Sequence, residues 1–589
     1  MIARRDLQKK GDLVAALTRH LTDAGQVRRE VERLNDMERV LLAEAVHSWG
    51  GAYDRQRMVA KYGTDPTRGG SGRLDLFLIG GRLPMDMRAG LATWLPPPEA
   101  ARLAVHAELP SVPAEPFFDD GRDEMVVRVR EAAVHADLPA VLRLCQAGRL
   151  RCSEATRRAT AASVREIDAV LTDGDFYPSV DDPGPIQAFA WPLLMQAGAF
   201  AELAGGRLQL TARGLAALDR PVADSLRHLW QRWLKSGLLD EFNRVEAIKG
   251  QTSGHGHALT AVPPRRAAIA AGLAACPNGR WIAVDDFFRY LVAEGLDPVV
   301  ARDVWRLYLG DPQYGNLGYE GHDWSMLQGR YVLCLLFEYA ATLGMIDVAY
   351  SYPHGARDDY AGNWGAEELL YLSRYDGLRY FRVNGLGAYV LGQTDTYRAG
   401  PAPDPARLRV LANMDIVTTG PRLGAADALL LDVYAERTGP ATWRLRRDKI
   451  LSALEAGRTL DELRSFLAAR GEGGIPETVA TLLTDVADRA ARLRDRGLVR
   501  LVECEDANLA LLLANDRRLK GACWQVGERW VAVPVAAEAA FRKGLRHLGY
   551  TLAAAGGCVP APAPQAVALV EVAAARAPAS RRGRGGGKV

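Results

Sequence analysis

Along most of this chain apolar residues recur at three- and four-residue steps, the spacing that gathers them on one face of an α-helix. The segment 160–171 is a clear case, with Ala161, Val164, Ile167 and Leu171 in step. The same periodicity predicts a charged helix over 10–35 and a more apolar one over 36–60, carried by Met37, Val40, Leu41, Ala45 and Val46 and interrupted at Gly50-Gly51. A short helix, a turn at Gly69-Gly70-Ser71-Gly72 and an apolar, strand-like run over 74–79 follow. Further helices are expected at 123–135, 138–146, 186–200, 222–245, 285–294 and 330–343, with a strand-like run at 148–152. Trp230 and Trp233 share a helix face and read as a core stripe. Beyond 405 two-residue alternation joins the helical steps. It predicts strands at 408–419 and 497–503 and a hairpin over 523–533 around Gly527-Glu528. Helices are expected at 425–435, 459–469, 476–495 and 537–548, with Thr459 and Glu462 forming a capping box.

One pattern occurs twice, 173 residues apart: Arg207-Leu-Gln-Leu-Thr-Ala-Arg-Gly214-Leu-Ala-Ala-Leu218 aligns without gaps on Tyr380-Phe-Arg-Val-Asn-Gly-Leu-Gly387-Ala-Tyr-Val-Leu391. Each copy runs from β-like alternation through a polar corner and a glycine into an apolar run. This is how the wing of a winged helix hands the chain to the next helix. The glycine suits a corner of positive φ or a close backbone passage. The predicted order helix, helix, strand, turn, helix, helix, wing over 123–219 reads as a winged-helix unit, and residues 1–110 offer a further candidate.

Composition is that of a globular protein, and 589 residues imply several domains. Proline-rich stretches at 96–98, 110–116 and 396–405 divide the chain. The expected domains are an N-terminal helical, winged-helix-like one at 1–110, a winged helix at 117–220, a helical domain ending in a winged-helix unit at 221–395, a domain at 405–555, and a disordered basic tail at 556–589. The fold class is α+β, mostly helical. A net charge of +3 gives no whole-chain attraction to nucleic acid, so any such surface must be a local patch. Seven cysteines, an odd number without a CxxC pair, argue against a disulfide framework or zinc ribbon. No signal peptide or long apolar run is read, so a cytoplasmic protein without membrane association is expected.

The stretch 405–555 resembles the helicase-associated domain that precedes the motor in XPB/Ssl-type DNA helicases. The residues that carry the resemblance are the strand 408–418, Trp443-Arg-Leu-Arg-Arg447 as a basic helix start with Ile450-Leu-Ser-Ala-Leu-Glu-Ala-Gly457, Leu460-Asp-Glu-Leu-Arg-Ser-Phe-Leu467, and Ile475-Pro-Glu-Thr-Val-Ala-Thr-Leu-Leu-Thr-Asp-Val486. The tryptophan of that family's pattern near Val486 is absent. The resemblance covers about a quarter of the chain. It implies association with DNA processing in bacterial repair or anti-phage defence, not motor activity. No GxxxxGK[ST] phosphate loop exists, and Gly585-Gly-Gly-Lys588 meets only Val589.

No GxSxG elbow, HExxH helix or Cys–His pair is found, so no enzyme and no cofactor is predicted. The carboxylate pairs Asp119-Asp120, Asp181-Asp182, Asp285-Asp286 and Asp358-Asp359 read as caps and turns, and Gly254-His255-Gly256-His257 lacks further metal ligands. The candidate DNA-binding residues are Arg157, Arg158 and Arg165 on a predicted recognition helix, Arg207 and Arg213 on its wing, Arg374, Arg379 and Arg382 around the second wing, and Arg444, Arg446, Arg447 and Lys449 before a C-terminal helix. Arginine suits phosphate because its planar fork donates two parallel hydrogen bonds. The expected function is a non-catalytic DNA-binding accessory subunit that recruits or regulates a separate helicase or nuclease. The alternative is a protein–protein scaffold without direct DNA contact.

Overall fold

The structure is a computed structural model that describes residues 10–552, apart from 69–71, 111–123, 179–181, 252–257, 319–323, 401–405, 493–494 and 496. The fold is α+β, with helices beside small antiparallel sheets. The chain divides into two compact units, Met1–Asp488 and Arg489–Val589. The Gly69–Ser71 turn, the 111–116 linker, Asp119, Asp120, Asp181, His255, His257 and the tail lie outside the described residues.

The first unit holds three hydrophobic cores. In the first of them, helices α1 (Lys10–Thr22), α2 (Ala24–Glu32), α3 (Asp36–His47), α4 (Arg55–Tyr62) and α5 (Met85–Ala92) lead through the 10–92 segment. Asn35 and Glu38 form a reciprocal capping box at the start of α3. The run at 74–79, expected as a buried strand or a short apolar segment, begins with a 3-10 turn, Leu74–Leu76. Leu74, Phe77 and Leu78 are all buried, and their three- and four-residue steps suit a helical turn.

The second core is continuous across the segments expected as two domains, 117–220 and 221–395. Where a helix was expected at 123–135, Val126–Arg128 is a strand, β1, and helix α6 begins only at Val134 (Val134–Gln146). Pairing with a distant strand overrides the weak helical period there. After α6 come α7 (Ala161–Asp168), α8 (Gln187–Ala197), the hairpin β2 (Ala201–Ala204) and β3 (Arg207–Leu210), α9 (Ala212–Ala217), α10 (Val222–Trp233) and α11 (Val262–Ala275). The helix expected through 245 stops at Trp233, and residues 241–244 form a 3-10 turn. Next are β4 (Trp281–Ala283), α12 (Val284–Glu294), α13 (Arg330–Cys334), β5 (Ile346–Tyr350), β6 (Leu378–Val383) and α14 (Gly385–Val390). The antiparallel sheet has the order β1-β5-β6-β4. Two π-helical segments, Ser325–Gly329 and Leu335–Ala340, flank α13.

Several buried charges in this core are paired, which offsets their desolvation. Arg266 donates to Glu241 at 2.6 Å, and Arg330 reaches Asp359 at 2.6 Å and Asp376 at 3.0 Å. Arg244 donates to Glu338 at 2.9 Å, and the Tyr375 hydroxyl donates to the same oxygen. Trp230 and Trp233 lie in this core.

The repeated sequence pattern has one geometry in both places. Thr211 and Asn384 are N-caps whose side chains accept from the backbone N–H of Gly214 (3.1 Å) and Gly387 (2.9 Å). Their own N–H groups donate to the carbonyls of Phe200 (3.0 Å) and Met345 (3.3 Å), the residues just before β2 and β5. Those carbonyl oxygens lie 2.0 and 1.9 Å from where a Cβ on Gly214 or Gly387 would stand. Neither glycine has positive φ. Close passage of a backbone, not a left-handed turn, requires glycine at both sites.

The third core contains β7 (Arg407–Val410), β8 (Asp415–Thr419), α15 (Ala425–Tyr434), β9 (Ala435–Gly439), β10 (Thr442–Leu445), α16 (Arg447–Glu455), α17 (Leu460–Arg470) and α18 (Glu477–Ala491), with strand order β7-β8-β10-β9. The single strand expected at 408–419 is a hairpin that turns at Met414, whose φ is +72°. Trp443 and Arg444, expected at a helix start, lie on β10, where the buried Trp443 indole donates to Asp432 at 2.8 Å. Thr459 caps α17, while Glu462 takes hydrogen bonds from Arg458, Tyr434 and Arg143.

The second unit contains β11 (Val499–Glu503), α19 (Ala507–Asn515), β12 (Trp524–Gln525), β13 (Trp530–Pro534) and α20 (Glu538–His547). Its antiparallel sheet has the order β11-β13-β12, and the helices cover one face through Leu513, Val531, Val533 and Phe541.

Candidate nucleic-acid interface

The β2–β3 hairpin turns through Gly205-Gly206, both at positive φ, a two-residue connection that suits strand twist. Residues 150–152 add a third short edge. Cys152 N–H donates to the Gly206 carbonyl at 3.0 Å, and Leu208 N–H donates to the Leu150 carbonyl at 2.9 Å. These bonds bracket the Arg151–Arg207 pair. The two arginines therefore occupy a non-hydrogen-bonded position, where antiparallel partners come closest, about 4.5 Å between Cα atoms. Leu150 and Leu208, one residue along, point into the core and are fully buried.

The chain then doubles back. Cys152 pairs with Ala159, and Ser153 N–H donates to the Arg158 carbonyl at 2.9 Å. Arg157 at the tip has φ +62°, a left-handed conformation that side chains other than glycine rarely adopt. Its carbonyl accepts from Gln196 Nε2 at 2.9 Å, which holds it there. Arg158 lies against the Phe189 ring, 5.8 Å from the centroid. Thr160 caps α7, from which Arg165 projects into solvent. Arg213 is exposed in the first turn of α9.

Arg151 and Arg207 thus lie on the hairpin and its paired edge, Arg157 and Arg158 in the loop that doubles back beside it, and Arg165 and Arg213 on the helices that follow that loop and β3. Among the described residues none of the six pairs with a carboxylate, whereas neighbouring Arg149 pairs with Glu166. Glu154 and Glu202 are exposed acids next to the hairpin strands, and Glu154 accepts from Gly206 N–H at 2.6 Å. Arg151 escapes the sequence reading. The signal for it is the alternation Leu150-Arg151-Cys152, which turns the arginine outward beside the hairpin.

The helix that follows α7 is α8, and it offers no reading surface. Gln187, Ala188, Ala190, Trp191, Pro192, Leu193, Leu194, Met195 and Ala197 are all buried. Arg157 and Arg158, expected on a recognition helix, lie in the loop before α7.

The other candidate clusters are neutralised to different degrees. Arg382 pairs with Asp347 at 2.7 Å and lies over the Trp281 ring, and Arg374 donates to the Pro183 carbonyl at 2.7 Å and to Glu246 at 3.1 Å. Arg379 is exposed at the second position of β6. Arg444 pairs with Asp415 at 2.7 Å, Arg446 with Asp448 at 3.2 Å, and Arg447 with Asp485 at 2.8 Å. Lys449 donates to the Asp432 carbonyl at 2.9 Å. A cation already facing a carboxylate has less charge to offer a phosphate.

The cysteine thiols are sequestered. Burial pushes the Cys145 thiol up to about 12 and Cys152 up to about 11, away from reactive thiolate. The six described cysteines are all buried and form no disulfide. Asp285 pairs with Arg357 and Asp286 with Arg289. Among the described residues no three His, Cys, Asp or Glu gather in a metal-holding group, and no helix is long and apolar enough to cross a membrane. No protein-family model matches the chain, and no curated protein matches it.

Proposed function

We propose that this protein is a non-catalytic DNA-binding accessory subunit that recruits or regulates a separate helicase or nuclease, in bacterial DNA repair or anti-phage defence. The observation that carries the proposal is the set of six arginines on the β2–β3 hairpin, its flanking loop and neighbouring helices that have no acid partner among the described residues. Unpaired guanidinium groups repel one another, and phosphate is the anion their fork geometry fits. The order α6, edge 150–152, α7, α8, β2–β3 reads as a winged helix whose wing and flanking loop, not its third helix, meet the duplex. Contacts of this kind fix position on the phosphate backbone and carry little sequence information. The repair or defence context and the helicase or nuclease partner rest on the sequence resemblance of 405–555.

The test is fluorescence anisotropy of the whole protein with a duplex oligonucleotide across a salt series. Affinity is expected to fall steeply with salt, and the triple reversal Arg157→Glu, Arg158→Glu, Arg165→Glu to abolish it. Absence of duplex binding by the wild type at low salt would overturn the proposal.

The scaffold reading has its own support. Trp305, Tyr314 and Trp364 are more than half exposed, and the last two rings lie 5.4 Å apart. Exposed Trp and Tyr are the residues that dominate protein–protein contacts. Partner assembly retained by the triple reversal, with no DNA bound by the wild type, would favour that reading.

A further inference from the structure

The charge of this chain is unevenly divided. Residues 489–589 hold 17 basic and 8 acidic side chains, a net +9, which leaves −6 on residues 1–488. Uneven charge between parts of a chain points to a polyanionic partner for the basic part.

The sheet of the second unit buries only one face. Val502, Val531 and Val533 point into the core. Strand residues alternate between faces, so Val499, Leu501, Trp530 and Trp524 share the other. The register agrees: Leu501 and Trp524 flank Ala532 from either side, and Glu503 faces Trp530. Val526 N–H donates to the Trp530 carbonyl at 2.8 Å, which places Val526 beside that tryptophan on the same face. Leu501 is 54% exposed, Val526 44%, and Trp524 and Trp530 38% each. A contiguous apolar face in solvent marks an interaction site.

The charges beside this sheet say what it fits. Glu503 is the one acid on this face, and Arg529 pairs with it at 3.2 Å. Arg517, Arg518 and Lys520 are exposed on the turn entering β12, and Lys520 bridges to Cys523 beside Trp524. Among the described residues none of these three pairs with a carboxylate. Trp524 and Trp530 are diagonal neighbours on adjacent strands, roughly 7–8 Å apart, room for a base plane against each. Aromatic platforms beside a basic track are how proteins hold single strands without reading sequence.

We propose that this face binds single-stranded nucleic acid, with bases stacked on Trp524 and Trp530 and phosphates held by Arg517, Arg518 and Lys520. The proposal extends the DNA-binding reading above but uses a different surface, so the two can fail separately.

The test is anisotropy of the full chain with a 20-nucleotide oligo-dT and, in parallel, a duplex. Trp524→Ala with Trp530→Ala is expected to weaken oligo-dT binding by about tenfold or more, since each stacked base contributes a substantial share of affinity, and to leave duplex binding unchanged. Trp524→Phe with Trp530→Phe retains a stacking surface and should keep most of the affinity. The Arg157, Arg158 and Arg165 reversal should do the opposite, losing duplex and keeping oligo-dT. Unchanged oligo-dT binding in the alanine pair would overturn the proposal, as would a phenylalanine pair as weak as the alanine pair. Concentration-dependent self-association lost in the alanine pair, with oligo-dT binding intact, would assign the face to a second protein chain instead and also overturn it. Wild-type binding to oligo-dT but not duplex would sink the hairpin reading and leave this one standing.

Discussion

Arg151 and Arg207 face each other across the narrow pair position of two antiparallel segments, both exposed and neither matched by an acid among the described residues. Directly opposed like charges destabilise a sheet by a few tenths to about 1 kcal/mol. Arg207→Glu should therefore raise stability by about 0.5–1 kcal/mol and weaken duplex binding at low salt. Thermal unfolding and anisotropy read the two effects, which should run in opposite directions. A variant that is less stable and binds as well as the wild type would show that the pair is neither repulsive nor functional.

Arg157 supplies a second trade of the same kind. A left-handed backbone costs an L-residue about 1–2 kcal/mol, and glycine escapes that cost while losing more entropy on folding. Arg157→Gly is expected to stabilise the fold by about 0.5–1 kcal/mol and to reduce duplex affinity. A drop in the urea midpoint would argue that the side chain anchors the loop.

The two glycines of the repeated pattern should behave alike. A methyl group at Gly214 or Gly387 would overlap a carbonyl oxygen at about 2 Å, so that backbone must move. Gly214→Ala and Gly387→Ala should each cost at least about 1–3 kcal/mol, the range for overpacking. Thr211→Ala, which removes only the cap, should cost about 1 kcal/mol. Denaturant unfolding of the three variants checks the order, and a Gly214→Ala protein as stable as the wild type would refute the close-passage account.

Acid should loosen the Arg330 network. Burial works against the charge of Asp359, but the hydrogen bonds and charge of Arg330 outweigh it and hold the carboxyl below its usual range. Asp376, fully enclosed on the other side of Arg330, is pushed up by burial. A folded pKa below the unfolded one gives stability that is complete above pH ~4 and is lost as pH falls through the folded value. Asp359→Asn should cost about 3–5 kcal/mol at neutral pH. The gap from wild type should narrow as pH falls below the usual carboxylate range and Asp359 protonates in the folded as well as the unfolded chain. Urea midpoints at three pH values measure the gap, and a gap that stays constant would exclude Asp359 as its source.

Local signals in the sequence were strong wherever one element decided its own structure. The Thr211 and Asn384 caps, the Gly205-Gly206 turn and the α7 stripe through Val164 and Ile167 follow from residues within a few positions of one another, whereas the carbonyls that require Gly214 and Gly387 come from Phe200 and the distant Met345. What the pattern could not carry was pairing at a distance. Val126 and Val127 form a strand because Ala349 and Tyr350 lie opposite them, and no local period announces that. The same holds for the arginines. Arg444 and Arg157 look equivalent as letters, yet Asp415 neutralises the first and nothing described neutralises the second. The apolar face of β12 and β13 was visible as alternation, but which side the helices cover is a tertiary fact.

The pairing of β1 with β5 also sets a schedule. Val126 leaves the ribosome long before Tyr350, its partner in the sheet. At roughly 5–20 residues per second the early strand waits about 10–45 s for its neighbour. Throughout that interval the edge of β1 has no strand to pair with, and the newly made α6 and α8, both rich in apolar side chains, have no completed core to enter. A protein assembled this way is exposed to misassociation while it is being made, so its yield in the cell should respond to translation speed and chaperone supply more than to its final stability.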